Sequence, residues 1–531
     1  MGFAYECMSA NMHTPLALYK GLNARFLLES ASLESGRGRY SIIVRKINFS
    51  LIKNIIDSEV SYIFNLELDN IAEQYNLTNL TQYKKLPKVL QTIIPNMQQI
   101  QEDYKLDFLS LAEKLRECYP QIPQELSNIP LPLGGLGYIG YEFFSECEHI
   151  TFSKPMLYNA PEALLVFPQE CIVFDHFYDE MYLVVSGYHG HDFSVKDRLE
   201  SLKLEIQKIG NIKTIKIIES DSLPNHNHSL LENNHDNRMS ERDCQDTIQD
   251  SIMTSEIIYE DSQEWYEKHV EIIRDEIYKG TFLQCVLSCS IVIKSNLNPL
   301  FFYETLRRNN PSPYMYYLDF GQFKIIGASP EVMLQCKQNI QIVRPIAGTR
   351  KRGKTLQEDE SLAQELLHDA KENAEHLMLV DLGRNDIGKN AKIGSVSLHA
   401  FRIIEKYSSV MHIVSEVRGE IAEDKSVKDC LKSCFPAGTI SGAPKIEAIN
   451  KLNEYETHGR GIYSGAILYF TRNGDLDSAI TLRSAVFQDG NYYLQAGAGI
   501  VIDSNPYQEY LETCNKMKAL YDILMQDDIN S

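Results

Sequence analysis

Two stretches of this chain each carry a pair of glutamates three residues apart. One is KENAEHLMLVDLGRND, with Glu372 and Glu375; the other is NPYQEYLETCNKMKAL, with Glu509 and Glu512. In a helix, residues at that spacing share a face. Asn505 can cap the second helix, and Pro506 suits its first position. A single pair of like charges costs a helix roughly a few tenths of a kcal/mol and is ordinarily a solvated face. Both helices also carry apolar faces that must dock on a common core, which would bring all four carboxylates to one cleft. Such a cluster requires a cation. Hard oxygen ligands with positions left open suit Mg²⁺, which keeps waters and binds an anionic substrate group directly.

Two further features look built for anions. Gly497-Ala498-Gly499 closes an apolar strand, and glycines there let a ligand approach backbone N–H groups; a bulge or tight strand crossing is the structural alternative. Arg483 interrupts the apolar string AITLRSAVF. A buried arginine demands an anion, which a structural carboxylate or a substrate carboxylate can supply.

The elements that must position these groups are legible in outline. Short apolar or alternating runs read as strands: RYSIIVRKI, ALLVFPQECIVFDHF, EMYLVVSGY, FLQCVLSCSIVIK, YMYYLDF, KIIGAS, MLQCK, IYSGAILYF, SAITLRSAVF and YYLQAGAGIVI. Helices are expected over Phe108–Cys118, Gln263–Lys279 (stopped by Gly280), Ser361–Leu382 and Pro506–Met525. Many antiparallel strands punctuated by helices predict an α+β fold, two facing antiparallel-rich sheets with helices outside.

A chain of 531 residues is long for a single core. The most polar stretch, Ser222–Gln245, is rich in Asn and His and reads as a linker. It divides an N-terminal regulatory or structural region (1–245) from a C-terminal catalytic region (255–527). A formal net charge of −20 disfavours nucleic acid and anionic membranes as partners, and makes any anionic substrate depend on a local cation. No apolar run reaches membrane-spanning length. The cysteine pairs Cys285/Cys289 and Cys430/Cys434 lack zinc-site spacing, so buried thiols in a reducing cytoplasm are expected.

With these residues in view, the strings GASPEVML, RPIAGTRKRG, EHLMLVDLGRNDIGK, YSSVMHIVSEVRGE, FPAGTISGAPKIEAI and DSAITLRSAVF resemble the chorismate-utilising enzymes. The match runs from about Trp265 to the C-terminus; RFLLESAS, RGRYSII and GGLGYIGYE extend it more weakly into the N-terminal half. The resemblance implies that Glu375 and Glu512 hold Mg²⁺, with Glu372 and Glu509 supporting them through water. The metal would bind the ring carboxylate of chorismate, helped by Gly497, Ala498 and Gly499. Arg483 and Tyr463 would hold the enolpyruvyl carboxylate, and Gly348 and Thr349 would line the ring. Glu331 would be the general acid for the departing C4 hydroxyl, and His412 would assist pyruvate elimination.

Two positions discriminate within the family by chemistry. Members that add water carry a lysine base where this chain has Gln284, and an amide is no useful base. Members that attack the ring covalently carry a lysine where this chain has Ala347. Ammonia is therefore expected to add at C2, with elimination to anthranilate. The alternatives are an enzyme that stops at 2-amino-2-deoxyisochorismate, and a non-catalytic paralogue that binds chorismate or tryptophan. The resemblance further implies a glutamine amidotransferase partner subunit in a heterotetramer, and feedback inhibition by L-tryptophan held by Ser30, Pro313, Tyr314 and Met315, with Glu29 nearby.

Overall fold

A computed structural model of the protein describes residues 2–30, 38–56, 59–65, 74–76, 107–188, 194–210, 254–407 and 410–525. The polar stretch 222–245 lies outside the described residues. The architecture is the expected mixture of antiparallel sheet and helix, and every strand joins one hydrogen-bonded network. Its hub is the long strand Tyr40–Ile56. One arm runs from it through Phe26–Glu29, Tyr314–Asp319, Lys324–Ser329, Ser484–Gln488 and Asn491–Ile500 to Gln284–Ser295. The other runs through Ala163–Asp175, Leu136–Ile139, Ala466–Phe470, Leu476–Ile480, Val332–Lys337 and Ile340–Val343 to Val410–Glu420.

The arms meet across a shared core. The ring of Tyr138 packs 5.5 Å from Phe320 and 5.9 Å from Phe323, and Tyr314 donates a hydrogen bond across the gap to Asp477 at 3.0 Å. Strand alternation sends the opposite face outward. Cys285, Leu287, Cys289, Ile291 and Ile293 thus enter a second core beneath the helices Gln263–Tyr278, Pro299–Asn309 and Pro506–Met525. Strands from before the polar stretch pair directly with strands from after it, as in Leu28 opposite Tyr316 and Tyr138 opposite Ile467. All four of the paired-spacing cysteines are buried and free, as expected. No described helix is long and apolar enough to cross a membrane.

Two expectations need correction. The long helix expected over Ser361–Leu382 is two helices, Leu356–His368 and Ala370–Gly388. Asp369 breaks it by adopting an extended conformation and capping the second helix, accepting from the N–H groups of Lys371 and Glu372 at 3.0 and 3.1 Å. Aspartate gains more from that bond than from continuing the first helix. The string SAITLRSAVF likewise holds two strands, Leu476–Ile480 and Ser484–Gln488. Arg483 sits in the break at φ +49°, so it belongs to a bend between the arms rather than to a strand.

Candidate functional site

The two glutamate-bearing helices bring Glu375 and Glu512 near one another. Ala370–Gly388 presents Glu372 and Glu375; Pro506–Met525 presents Glu509 and Glu512 after the Asn505 side chain caps its first turn at 3.1 Å. Burial raises the carboxyl pKa of Glu375, and the charges of Glu372 and then Glu512 raise it further. Glu509 is raised by burial, opposed by its Ser504 hydrogen bond and reinforced by Glu512. The charge of Glu512 on one helix thus reaches Glu375 on the other, which places these two carboxylates at one cleft.

Lys516 closes this cleft, and nothing in the glutamate spacing alone pointed to it. Its Nζ lies 2.8 Å from Glu512 Oε1 and donates to the Gly497 carbonyl at 2.9 Å. The signal was available, since Lys516 stands four residues beyond Glu512 on the same helix face. Arg350 plays the matching part for the first pair, donating to Glu372 at 3.2 Å and to Asp369 at 2.9 Å. Among the described residues no three acidic, histidine or cysteine side chains form a compact ligand group. The donors are nonetheless all hard oxygens, and their mutual repulsion is what a dication relieves. An open set of this kind fits Mg²⁺, which retains water and substrate ligands.

Glu331 opens on the same region. Burial pushes its pKa up to about 7, against the hydrogen bond it accepts from Thr439 at 2.8 Å and the positive charge of Lys516. It also lines a small cavity of about 40 Å³ with Met333, Pro345, Leu379 and Thr439. A carboxyl group poised near 7 can give up a proton under ordinary conditions.

His412 projects from the strand Val410–Glu420 and is 6% exposed. Burial lowers its pKa, with the Gly348 carbonyl opposing and Arg483 adding to the fall. Nδ1 lies 3.0 Å from the Gly348 oxygen, which can only accept, and 3.1 Å from the Thr349 hydroxyl. The proton therefore sits on Nδ1, leaving the Nε2 lone pair as a base. Gly348 manages this at φ +64°, in a bulge between Ala347 and Thr349. A Cβ there would press within 3.2 Å of Glu372, which ties the histidine to the carboxylate cluster.

Arg483 has no carboxylate partner among the described residues, and burial alone lowers its pKa. Of the two anions that could satisfy it, the structural one is missing. Tyr463 is buried, and its hydroxyl lies 3.1 Å from where a Gly497 Cβ would stand. Gly497 and Gly499 face the cleft, whereas the Ala498 side chain points into the core beneath the helices. Ala498 can serve a ligand only through its backbone.

A family model described as chorismate binding enzyme matches residues 77–522. This chain belongs to the chorismate-binding enzyme family. It is 43% identical over 398 residues to an anthranilate synthase component 1 from Acetivibrio thermocellus, covering 74% of this chain and 76% of that one. With the component 1 of Spirochaeta aurantia it shares 34% identity across 95% of this chain and 92% of the relative. The crystal structure of anthranilate synthase component I from Streptococcus pneumoniae TIGR4 superimposes with a TM-score of 0.70 at 30% identity, covering 97% of this chain and 98% of the other.

In this chorismate-binding enzyme the segments around Ser30 and Met315 lie side by side. Phe26–Glu29 pairs with Tyr314–Asp319, placing Glu29 opposite Met315. The Glu29 carboxylate is already engaged, by Arg307 at 2.8 and 3.0 Å and by Tyr303 at 2.8 Å. The buried Ser30 hydroxyl has no hydrogen-bond partner among the described residues. Met315 enters the core beneath the helices, while Tyr314 turns to the other face and bonds Asp477.

Proposed function

We propose that the chain converts chorismate and ammonia to anthranilate and pyruvate. The observation that carries this reading is the approach of Glu375 and Glu512, with Lys516 between them and the near-neutral carboxyl of Glu331. The relatives' shared name, with Gln284 and Ala347 where lysines would serve other chemistry, supports anthranilate over a hydroxylated or covalently formed product.

Glu375 and Glu512 would hold Mg²⁺, with Glu372 and Glu509 supporting them. The ion supplies positive charge for the ring carboxylate in a chain that is otherwise strongly acidic. Lys516 and the Gly497 and Gly499 backbone flank the same carboxylate. Arg483 and Tyr463 take the enolpyruvyl carboxylate, which is the anion Arg483 lacks. Gly348 and Thr349 line the ring. Glu331 donates its proton to the C4 oxygen, which leaves as water while ammonia bonds to C2. The neutral His412 then assists loss of the C2 proton as pyruvate departs and the ring becomes aromatic.

The name component 1 carried by the relatives implies a second component. We assign that role to a glutamine amidotransferase subunit in a cytoplasmic heterotetramer. Every proposed catalytic and metal-holding residue falls within 255–527, whereas 1–245 contributes Ser30 to a tryptophan-binding seam with Pro313, Tyr314 and Met315. The orphaned Ser30 hydroxyl supports that seam; the engaged Glu29 acts there as scaffold rather than as ligand. Tyr314 stands opposite Ser329, two residues before Glu331, so a ligand at the seam has a short path to the general acid.

Product identification tests the reading. The purified chain with chorismate, Mg²⁺ and ammonium should release fluorescent anthranilate and an equal amount of pyruvate. A non-aromatic amino product without pyruvate, or turnover with glutamine and no partner, is incompatible with it.

A further inference from the structure

Gln284 begins the strand Gln284–Ser295 and is 3% exposed. The pleat sets its side chain on the face opposite Cys285, Leu287 and Cys289, and those three occupy the core beneath the helices. Gln284 therefore shares the cleft face with Val286 and Ser288, whose partners across the ladder are Gly499 and Gly497. The amide lies against Gly499 so closely that a Cβ at that position would collide with Nε2. Its other end, Oε1, is buried and has no hydrogen-bond partner among the described residues.

A buried amide oxygen left unpaired is costly, on the order of 1–3 kcal/mol, and calls for a donor. In the proposed binding mode chorismate turns a carboxylate to this end of the cleft and its C4 hydroxyl to Glu331, and a carboxylate only accepts. Ammonia offers N–H groups and little else. We propose that Gln284 Oε1 accepts a hydrogen bond from the incoming ammonia and holds it beside the Gly497–Gly499 strand for attack on the ring. This rests on the proposed amination of chorismate. In that step the nitrogen lone pair bonds to C2, the ring double bonds shift, and the C4–O bond breaks. The oxygen leaves as water with the Glu331 proton, and the nitrogen sheds one proton that restores Glu331. Gln284 takes no proton; it orients the nucleophile, and Gly499 is glycine because the amide needs that space.

The test uses ammonium chloride and chorismate as varied substrates for the full chain with Mg²⁺. Gln284→Met keeps the length and removes the acceptor. It should raise KM for ammonium about tenfold, the scale of one hydrogen bond, with KM for chorismate within twofold and Tm unchanged. Gln284→Glu keeps an acceptor oxygen and should hold KM for ammonium within threefold of wild type. Gln284→Asn withdraws the oxygen by one carbon and should fall between them. An unchanged KM for ammonium in the Met and Asn variants overturns the assignment, as does a parallel rise in both KM values. Wild-type turnover that does not depend on ammonium overturns the assignment together with the function it rests on.

Discussion

The carboxylate cleft and the seam at Ser30 are both built from charged residues beside strands, yet they treat charge oppositely. In the cleft, Arg483 has no carboxylate partner among the described residues, and Glu375 feels like charges from Glu372 and Glu512. At the seam, Glu29 is matched by Arg307 and Tyr303, and the buried groups left without a partner among the described residues, the Ser30 hydroxyl with them, are neutral. Unpaired charge inside a fold is expensive, so its survival points to a ligand that completes it. Paired charge needs no such explanation. The cleft should therefore fail catalytically when altered, and the seam should change in response rather than in chemistry.

The largest effect belongs to the cleft. Glu375→Gln and Glu512→Gln should each abolish turnover, by roughly 10³-fold or more if the ion's charge is what binds and activates the ring carboxylate. Glu375 has a raised pKa in the fold, so its contribution to stability is present at acid pH and lost as pH rises through the folded value. Above that value the charge works against folding, and Tm of the Glu375→Gln variant should hold or rise there. Near-normal activity of either variant with the metal chelated would remove the cleft's claim to a cation.

His412 comes next. His412→Ala should still consume chorismate and ammonia but release pyruvate about 10²-fold more slowly, the usual yield of one positioned base. Equal loss of both signals would mean that the histidine supports the whole cleft through Gly348 and not the elimination alone. Glu331 gives a pH signature of similar origin. The acid is protonated below about 7, so chorismate consumption at fixed free ammonia should fall as pH rises through that value. The decline should approach tenfold per pH unit and vanish in Glu331→Gln, whose residual rate should be flat.

Much of the cleft was legible because helix spacing is rigid. Glu372/Glu375 and Glu509/Glu512 could be paired, and the cap at Asn505 placed, from local rules alone. Their convergence could not, since it depends on how two arms of a sheet bring distant helices together. Arg483 was noticed as an anomaly, but its left-handed bend was hidden inside an apolar run that reads as one strand. Asp369 was hidden for the opposite reason, as a good capping residue inside an amphipathic pattern. Gln284 looked like a mere absence of lysine; its unpaired oxygen is a fact of burial, which sequence does not carry. The resemblance to known enzymes supplied the roles of Glu331, Gly348 and His412, whereas Thr439, the partner of Glu331, stood in the string FPAGTISGAPKIEAI without a role.

The smallest and most selective effect is expected at the seam. Ser30 follows the strand Phe26–Glu29, whose neighbour Tyr314–Asp319 pairs in turn with Lys324–Ser329, the strand that leads to Glu331. Tryptophan bound at the seam can inhibit only by binding more tightly to a less active arrangement of those strands than to the active one. A coupling of about 1–3 kcal/mol would give roughly 5- to 150-fold inhibition, and all of it depends on the seam having room for the ligand. Ser30→Phe fills that room with an apolar ring and touches neither the Glu29–Arg307 pair nor any cleft residue named above. It should raise the tryptophan concentration for half-inhibition by about tenfold or more while costing no more than about twofold in activity, which corresponds to under ~0.5 kcal/mol. Titration of wild type and variant with tryptophan, at fixed chorismate and ammonium, reads both numbers at once. Wild-type activity indifferent to tryptophan would leave the seam as plain scaffold, like its paired Glu29, and would leave the cleft untouched.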